Sequence, residues 1–302
     1  MYLHEDKELF KEVIIGTAEE CGEVVPIVEK DYYVTLLLKQ LSDKCPECVF
    51  KGGTSLSKCY HVIDRFSEDI DISFSNKLTQ GERKKLKNNI ISSISDELGL
   101  PIIDWDKTRS RRDYNCYTFS YSPIEGYATR GRLVQGVKIE VSLSSISFPT
   151  VKLSVDSYVY KFLSKDNMDI VDEYGLQPFY MNVQDIDRTL IDKIFAICDY
   201  YLKGEIKRYS RHIYDIYMLL PKVKLDNNFK KLVIQVRAVR AEMSICPSAL
   251  KGVDIPFLLK SIIKEEFFKA DYREITTYFQ KNQVSYDKAI SAVKKIAESG
   301  MF

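Results

Sequence analysis

Apolar residues recur at helical spacing from the start of the chain. Within residues 6–20, Phe10, Val13, Ile14 and Ala18 share one face, and this period predicts a helix. A second helical pattern restarts at Pro26 and runs to about Lys44, with Tyr33, Leu37 and Leu41 along one stripe. Val49 and Phe50 then form a very short apolar strand that ends at Gly52-Gly53, and residues 54–63 read as a short helix. From Asp69 to Ser75 polar and apolar positions alternate, the period of a strand. Residues 79–98 are basic and amphipathic, a surface helix closed by Gly99. Strands are expected at Ile102–Thr108, Asn115–Ser122 and Val137–Ser144, joined by loops rich in arginine, glycine and proline. After Pro149 the period becomes helical at 185–202, 210–220, 227–242, 255–268, 271–281 and 286–298, with Asp226 and Ser285 as N-caps. The fold class is therefore α+β, with a boundary expected near residue 165 and a mostly helical domain over 166–302.

Composition narrows this only a little. The 302 residues are 45% hydrophobic and 29% charged, as in soluble globular proteins, and the formal net charge of +1 predicts no overall affinity for nucleic acid. Any nucleic-acid surface must be a local patch. Seven scattered cysteines argue against a disulfide framework and for a reducing, cytoplasmic setting. The first residues, MYLHEDKELFKEV, are acidic and amphipathic, without an apolar signal core, and no stretch is apolar enough for a transmembrane helix. His4 is expected to be disordered.

The chemistry concentrates in residues 50–74. Side chains at i and i+2 of a strand share a face, so Asp69 and Asp71 point one way while Ile70, Ile72 and Phe74 point into a core. Paired carboxylates repel, and a hard divalent cation relieves that cost. Mg²⁺ commonly takes one or two protein carboxylates and fills its shell with water and substrate phosphate. The alternative is a solvated strand face. Gly52 and Gly53 permit a tight turn and close approach by a ligand, and the helix after them offers free N–H groups to phosphate. Thr54, Ser55 and Lys58 lie on one face of that helix; the alternative is an ordinary strand-to-helix turn with a surface lysine. The G-x-x-x-x-G-K-[ST] string of a P-loop is absent. Further along, Glu140 stands on the polar face of an alternating strand, either as a third carboxylate or as an exposed glutamate paired with a lysine.

Other features carry less. Cys45-Pro-Glu-Cys48 is a lone C-x-x-C without the further ligands that zinc requires. His61 and His212 read as surface or packing residues that could approach a cleft. Arg109, Arg111, Arg112, Arg130 and Arg132 form one basic set and Lys203, Lys207, Arg208 and Arg211 another, with Tyr114, Tyr209 and Tyr214 interleaved. Such sets can contact an RNA backbone and stack on bases, or be solvated charge.

The string Lys51-Gly-Gly-Thr-Ser-Leu-Ser-Lys58, followed by Arg65-Phe-Ser-Glu-Asp69-Ile-Asp71, resembles the signature of the AbiEii/AbiGii nucleotidyltransferase toxins. That family, with its MenT-like relatives, belongs to the polymerase-β-like nucleotidyltransferases. The likeness extends over residues 185–220, where a lysine-bearing helix precedes a helix with Tyr-Asp-x-Tyr. It implies a mixed sheet with helices, followed by a helical domain that completes the active-site cleft. It also implies Mg²⁺ on Asp69 and Asp71 with Glu140 as third acid, and an NTP co-substrate cradled by Gly52, Gly53 and Ser55. Lys193 and Asp215 match the family's later lysine and aspartate. The residues alone also allow a local reading, with Asp215 paired to Arg211 one turn away. The implied reaction is transfer of a nucleoside monophosphate to an acceptor hydroxyl, with the 3′ end of tRNA as the first choice. The setting is an abortive-infection, type IV toxin–antitoxin system whose antitoxin need not touch the toxin. Transfer to a protein or small molecule, a non-catalytic nucleotide-binding module and a metal-dependent nuclease are the alternatives.

Overall fold

A computed structural model describes residues 1–127 and 136–302. Arg130 and Arg132 lie outside the described residues. The chain forms two compact units. The first comprises Met1–Cys59, Ser67–Ser147 and Val151–Val183, and the second Tyr60–Phe66, Phe148–Thr150 and Gln184–Phe302.

Unit 1 is built on a mixed six-stranded sheet. Its strands are β1 (Cys48–Lys51), β2 (Ile70–Phe74), β3 (Tyr114–Phe119), β4 (Val137–Ile146), β5 (Thr150–Val155) and β6 (Phe179–Gln184), in the order β3-β4-β2-β1-β6-β5. β1 and β2 are antiparallel, whereas β2 pairs parallel with β4 and β1 parallel with β6. One side of the sheet is apolar, with Phe50, Ile70, Ile72, Ile139 and Val141 all buried. The helices of this unit are α1 (Lys7–Cys21), α2 (Val25–Lys44), α3 (Gly52–Lys58), α4 (Gln80–Lys85), α5 (Ser92–Leu98), α6 (Tyr158–Leu163) and α7 (Met168–Glu173). α1 starts at Asp6, whose side chain caps the Leu9 N–H, and α4 starts at a capping box between Thr79 and Glu82. A π-helical turn, Leu86–Ile91, joins α4 to α5, and Gly99 ends α5 in the left-handed conformation, so the helix expected over 79–98 is one near-continuous rod.

Several expectations are corrected. Ile102–Thr108 is not a strand: Ile102 makes an isolated bridge to Phe119, and Trp105–Lys107 is a 3₁₀ turn on which Lys87 packs. The short helix after the glycines starts earlier, at Gly52, and ends at Lys58 with Cys59 as its cap; His61 beyond it adopts a positive φ of 51°. β5, β6, α6 and α7 were not expected. β5 sits at the sheet edge and alternates exposed Thr150 and Lys152 with half-buried Val151 and Leu153, so its strand period is present in the sequence although short. His4 is held in place, its ring nitrogens within 3.0 Å of the Tyr32 hydroxyl and 3.1 Å of the Leu98 carbonyl.

Unit 2 is helical. α8 (Ile186–Lys203) packs against α9 (Arg211–Leu219), α10 (Asn227–Ala241) and α11 (Ile255–Lys264), and α13 (Tyr286–Glu298) packs against α9 and α11. A short α12 (Lys269–Asp271) continues through π and 3₁₀ turns to Phe279. Asp226 and Ser285 cap α10 and α13 as expected. Among the described residues no helix is long and apolar enough to cross a membrane.

Candidate active site

The register of the sheet sets out one row of side chains. Asp71 is the Cα partner of Lys51 on β1 and of Glu140 on β4, and Glu140 is the partner of Cys116 on β3. Directly paired residues share a face, so Lys51, Asp71, Glu140 and Cys116 line one side of the sheet opposite the apolar core. Asp69 precedes β2 by one residue, and its carbonyl accepts a hydrogen bond from Thr54 Oγ1 at 2.5 Å. Tyr114 hydrogen-bonds to Glu140 across the row. Its pKa is pushed up by partial burial and then by the charges of Glu140 and Asp71.

The glycine turn abuts this row. Gly52 has φ +79°, and a Cβ there would fall inside the Asp71 carboxylate. Backbone and acid therefore approach each other only because the residue is glycine. Ser55 is buried and its hydroxyl donates to the Gly52 carbonyl at 2.9 Å, bracing the turn. Thr54 is buried and tied to Asp69, and its hydroxyl lies 3.0 Å from Ser67 Oγ. Lys58 points away into unit 1. Its ammonium pairs with Asp31 at 2.6 Å and donates to Thr35 Oγ1 at 2.8 Å and the Asp156 carbonyl at 3.1 Å. Gly53, Thr54 and Ser55 lie in the first turn of α3, with the Thr54 and Ser55 hydroxyls bonded within the protein, while Lys58 is engaged in supporting α3.

Among the described residues, no three histidines, cysteines or carboxylates converge as a closed metal site. Mg²⁺ does not require one, since one or two carboxylates with water and phosphate suffice. Asp69 and Asp71 fit an open site of that kind, and the missing Cβ of Gly52 gives Asp71 its seat.

Unit 2 holds the later pair. Asp215 on α9 has no exposed surface; Arg65 grips both its oxygens, at 2.7 and 2.8 Å, and Lys193 of α8 donates to it at 2.7 Å. The expected local pairing of Asp215 with Arg211 is thus replaced by a pairing across 150 residues of sequence. Arg65 is itself fixed by neighbouring backbone bonds, Phe66 N–H to Phe279 O at 3.1 Å and Lys281 N–H to Asp64 O at 2.9 Å. Burial opposes ionisation of Asp215, but Arg65 and Lys193 override it and hold the carboxyl well below its usual range. Burial likewise lowers the Lys193 pKa, offset in part by Asp215. Buried between these charges, His212 is pushed well below its ordinary value by desolvation and by Lys193 and Arg211, so its ring is neutral. A carboxylate so enclosed and so doubly paired is a poor proton acceptor; its chemistry is to keep Lys193 and Arg65 charged and oriented. Arg65 lies inside the quoted signature, yet no role for it was legible without its partner.

The remaining candidates scatter. Arg109 and Arg112 spend guanidinium bonds on backbone carbonyls, at 2.8 Å to Thr108 O and 2.9 Å to Lys107 O. In unit 2, Tyr209 stacks on Tyr200 at 3.6 Å beside His212, in a turn where Lys203, Lys207, Arg208 and Arg211 are exposed. Tyr214 is buried and its hydroxyl accepts from the Asp64 N–H at 3.1 Å. Cys45 and Cys48 are free, buried thiols, and His61 is exposed.

A family model described as nucleotidyl transferase AbiEii toxin, type IV TA system, matches residues 36–292. The chain belongs to the AbiEii family. It is accordingly a nucleotidyltransferase toxin of a type IV toxin–antitoxin system, a family whose members take an NTP and have a cognate antitoxin. No curated protein matches in sequence. Among solved structures, MenT4, a nucleotidyltransferase toxin from Mycobacterium tuberculosis H37Rv, is similar at TM-score 0.58 and 17% identity, over 94% of this chain and 87% of that one. That likeness shows the fold, an α+β nucleotidyltransferase fold as expected. JHP933 from Helicobacter pylori aligns over 90% of each chain at 12% identity and TM-score 0.47, too distant to bear on the argument.

Proposed function

We propose that this AbiEii protein is a Mg²⁺-dependent enzyme of the cytoplasm that transfers a nucleoside monophosphate from an NTP to an acceptor hydroxyl. The acceptor we assign is the 3′ end of tRNA, and the setting is abortive infection with an antitoxin that need not bind the toxin. One observation carries the reading: Asp71 is seated on a glycine that admits no Cβ and lies beside Glu140 in register, which puts an acidic row against a backbone turn. Gly52, Gly53 and Ser55 form the triphosphate cradle, with backbone amides offered where a side chain would block approach. Thr54 and Lys58 serve that cradle from behind, through Asp69 and Asp31. Asp69 and Asp71, with Glu140 as the third carboxylate of the row, hold the metal. When bound, Mg²⁺ neutralises charge on the transferred phosphoryl group and the departing pyrophosphate. Lys193 adds positive charge for the triphosphate, and Asp215 keeps it oriented.

The test is incubation of purified protein with Mg²⁺, each α-labelled NTP in turn and total bacterial RNA, beside Asp69→Ala. Labelled, lengthened tRNA that vanishes with the variant is the expected result. Label in protein or a small molecule would move the acceptor and keep the mechanism. NTP binding without transfer to any acceptor would replace the enzyme with a binding module, and shortened RNA would make it a nuclease.

A further inference from the structure

Helix α2 carries three successive charged residues, Glu29, Lys30 and Asp31, the first two buried and the third half-buried. Burying consecutive charges is costly unless each is matched. Here each is matched on a different segment. The Glu29 carboxylate accepts from the Ile124 N–H at 3.0 Å. Lys30 pairs with Glu68, the residue immediately before Asp69, the two side chains being 3% and 18% exposed. Asp31 pairs with Lys58 at the end of α3 at 2.6 Å, and its other oxygen accepts from the Tyr158 N–H at 3.0 Å. Thr35, one turn further on, accepts from the same Lys58 ammonium.

We propose that Lys30 and Asp31 are positioning residues for nucleotidyl transfer, Lys30 fixing the acid turn through Glu68 and Asp31 fixing the glycine helix through Lys58. The proposal rests on the function argued above. Glu68, Asp69 and Asp71 crowd three carboxylates into one short segment. Lys30 neutralises the first and draws it into the protein, leaving the other two for the row. Thr54 secures the same turn from the other side, through the Asp69 carbonyl and Ser67. Asp31 and Thr35 together hold the far end of α3, the helix that opens with Gly52-Gly53. A buried ion pair adds little net stability but can specify one geometry, so a positioning role and a stabilising role part company here.

The two residues are adjacent on one helix yet serve different parts of the site, and this makes them separable. The full chain is compared as wild type, Lys30→Met/Glu68→Gln (which removes both charges of the pair), Lys30→Arg, Asp31→Asn and Thr35→Val. Transfer kinetics, Mn²⁺ binding by electron paramagnetic resonance and thermal unfolding are measured on each. Lys30→Met/Glu68→Gln is expected to lower kcat and weaken Mn²⁺ binding by about tenfold each, with KM for NTP unchanged. Lys30→Arg is expected to recover most of both. Asp31→Asn, and more mildly Thr35→Val, are expected to raise KM for NTP by about fivefold or more at wild-type Mn²⁺ affinity. Wild-type kinetics in all variants, or kcat, KM and melting temperature shifting together in both sets, would overturn the positioning roles alone. A wild-type protein that neither transfers nor binds Mn²⁺ would instead overturn the function, and the inference with it.

Discussion

In unit 1, Asp71 projects half-buried from a strand between Lys51 and Glu140, its carboxylate resting on a glycine. In unit 2, Asp215 is enclosed without exposed surface, gripped by Arg65 and Lys193. The first arrangement sets Asp71 in a row with another acid, Glu140, and with Lys51 on its other side, on the face opposite the apolar core. The second spends its acid on neutralising two buried cations, so that they stay charged in a place where burial disfavours charge.

The sharpest way to break that contrast is Asp215→Ala. It leaves Arg65 and Lys193 buried and unpaired, and we expect a loss of about 3–5 kcal/mol in denaturant unfolding. A loss below about 1 kcal/mol would show that solvent reaches the cluster after all. Gly52→Ala sharpens the comparison from the other side. The left-handed φ of 79° disfavours alanine, and the added Cβ collides with Asp71. Destabilisation of about 1–3 kcal/mol is expected together with loss of transfer, whereas retained transfer would detach the glycine turn from the chemistry.

A smaller effect comes from Glu29, whose pKa is raised from 4.5 to about 7, mainly by burial, against the Ile124 N–H that favours its charge. A group raised in the folded state contributes stability that is complete below pH 4.5 and lost as pH rises through about 7. Tyr33 and Tyr121 stack on each other within reach of the Glu29 charge, and burial dominates its shift. Stability of the wild type should therefore fall by about 2 kcal/mol between pH 5 and pH 8, and Glu29→Gln should flatten that slope. A slope unchanged in the variant would assign it to another group. Asp215 runs in the opposite sense: its depressed pKa contributes stability above pH 3.8 that is lost only in stronger acid.

The contrast between the two acids also marks what the chain discloses before it is folded. The β1-turn-α3-β2 segment was legible because its signals are local: an apolar pair, two glycines and strict alternation through Asp71. The helices of unit 2 were legible for the same reason, with caps at Asp226 and Ser285 in place. What failed to show was non-local. Arg65 and Asp215 meet across 150 residues, and helical spacing pointed instead to Arg211. The engagement of Lys58 by Asp31 and of Lys30 by Glu68 depends on how α2 crosses the turn, which no spacing encodes. Ile102–Thr108 was misread because apolar residues beside Pro101 pass for a strand, although Trp105 turns the chain onto Lys87.

The most direct test sets Asp71→Asn beside wild type in two assays, transfer of α-labelled NTP and denaturant unfolding. The predicted result is transfer reduced by about 100-fold or more with stability within about 1 kcal/mol of wild type, since Asp71 is half-buried and the substitution keeps its size. Undiminished transfer, or collapse of the fold as in Asp215→Ala, would contradict the assignment of the row to the metal and its reaction.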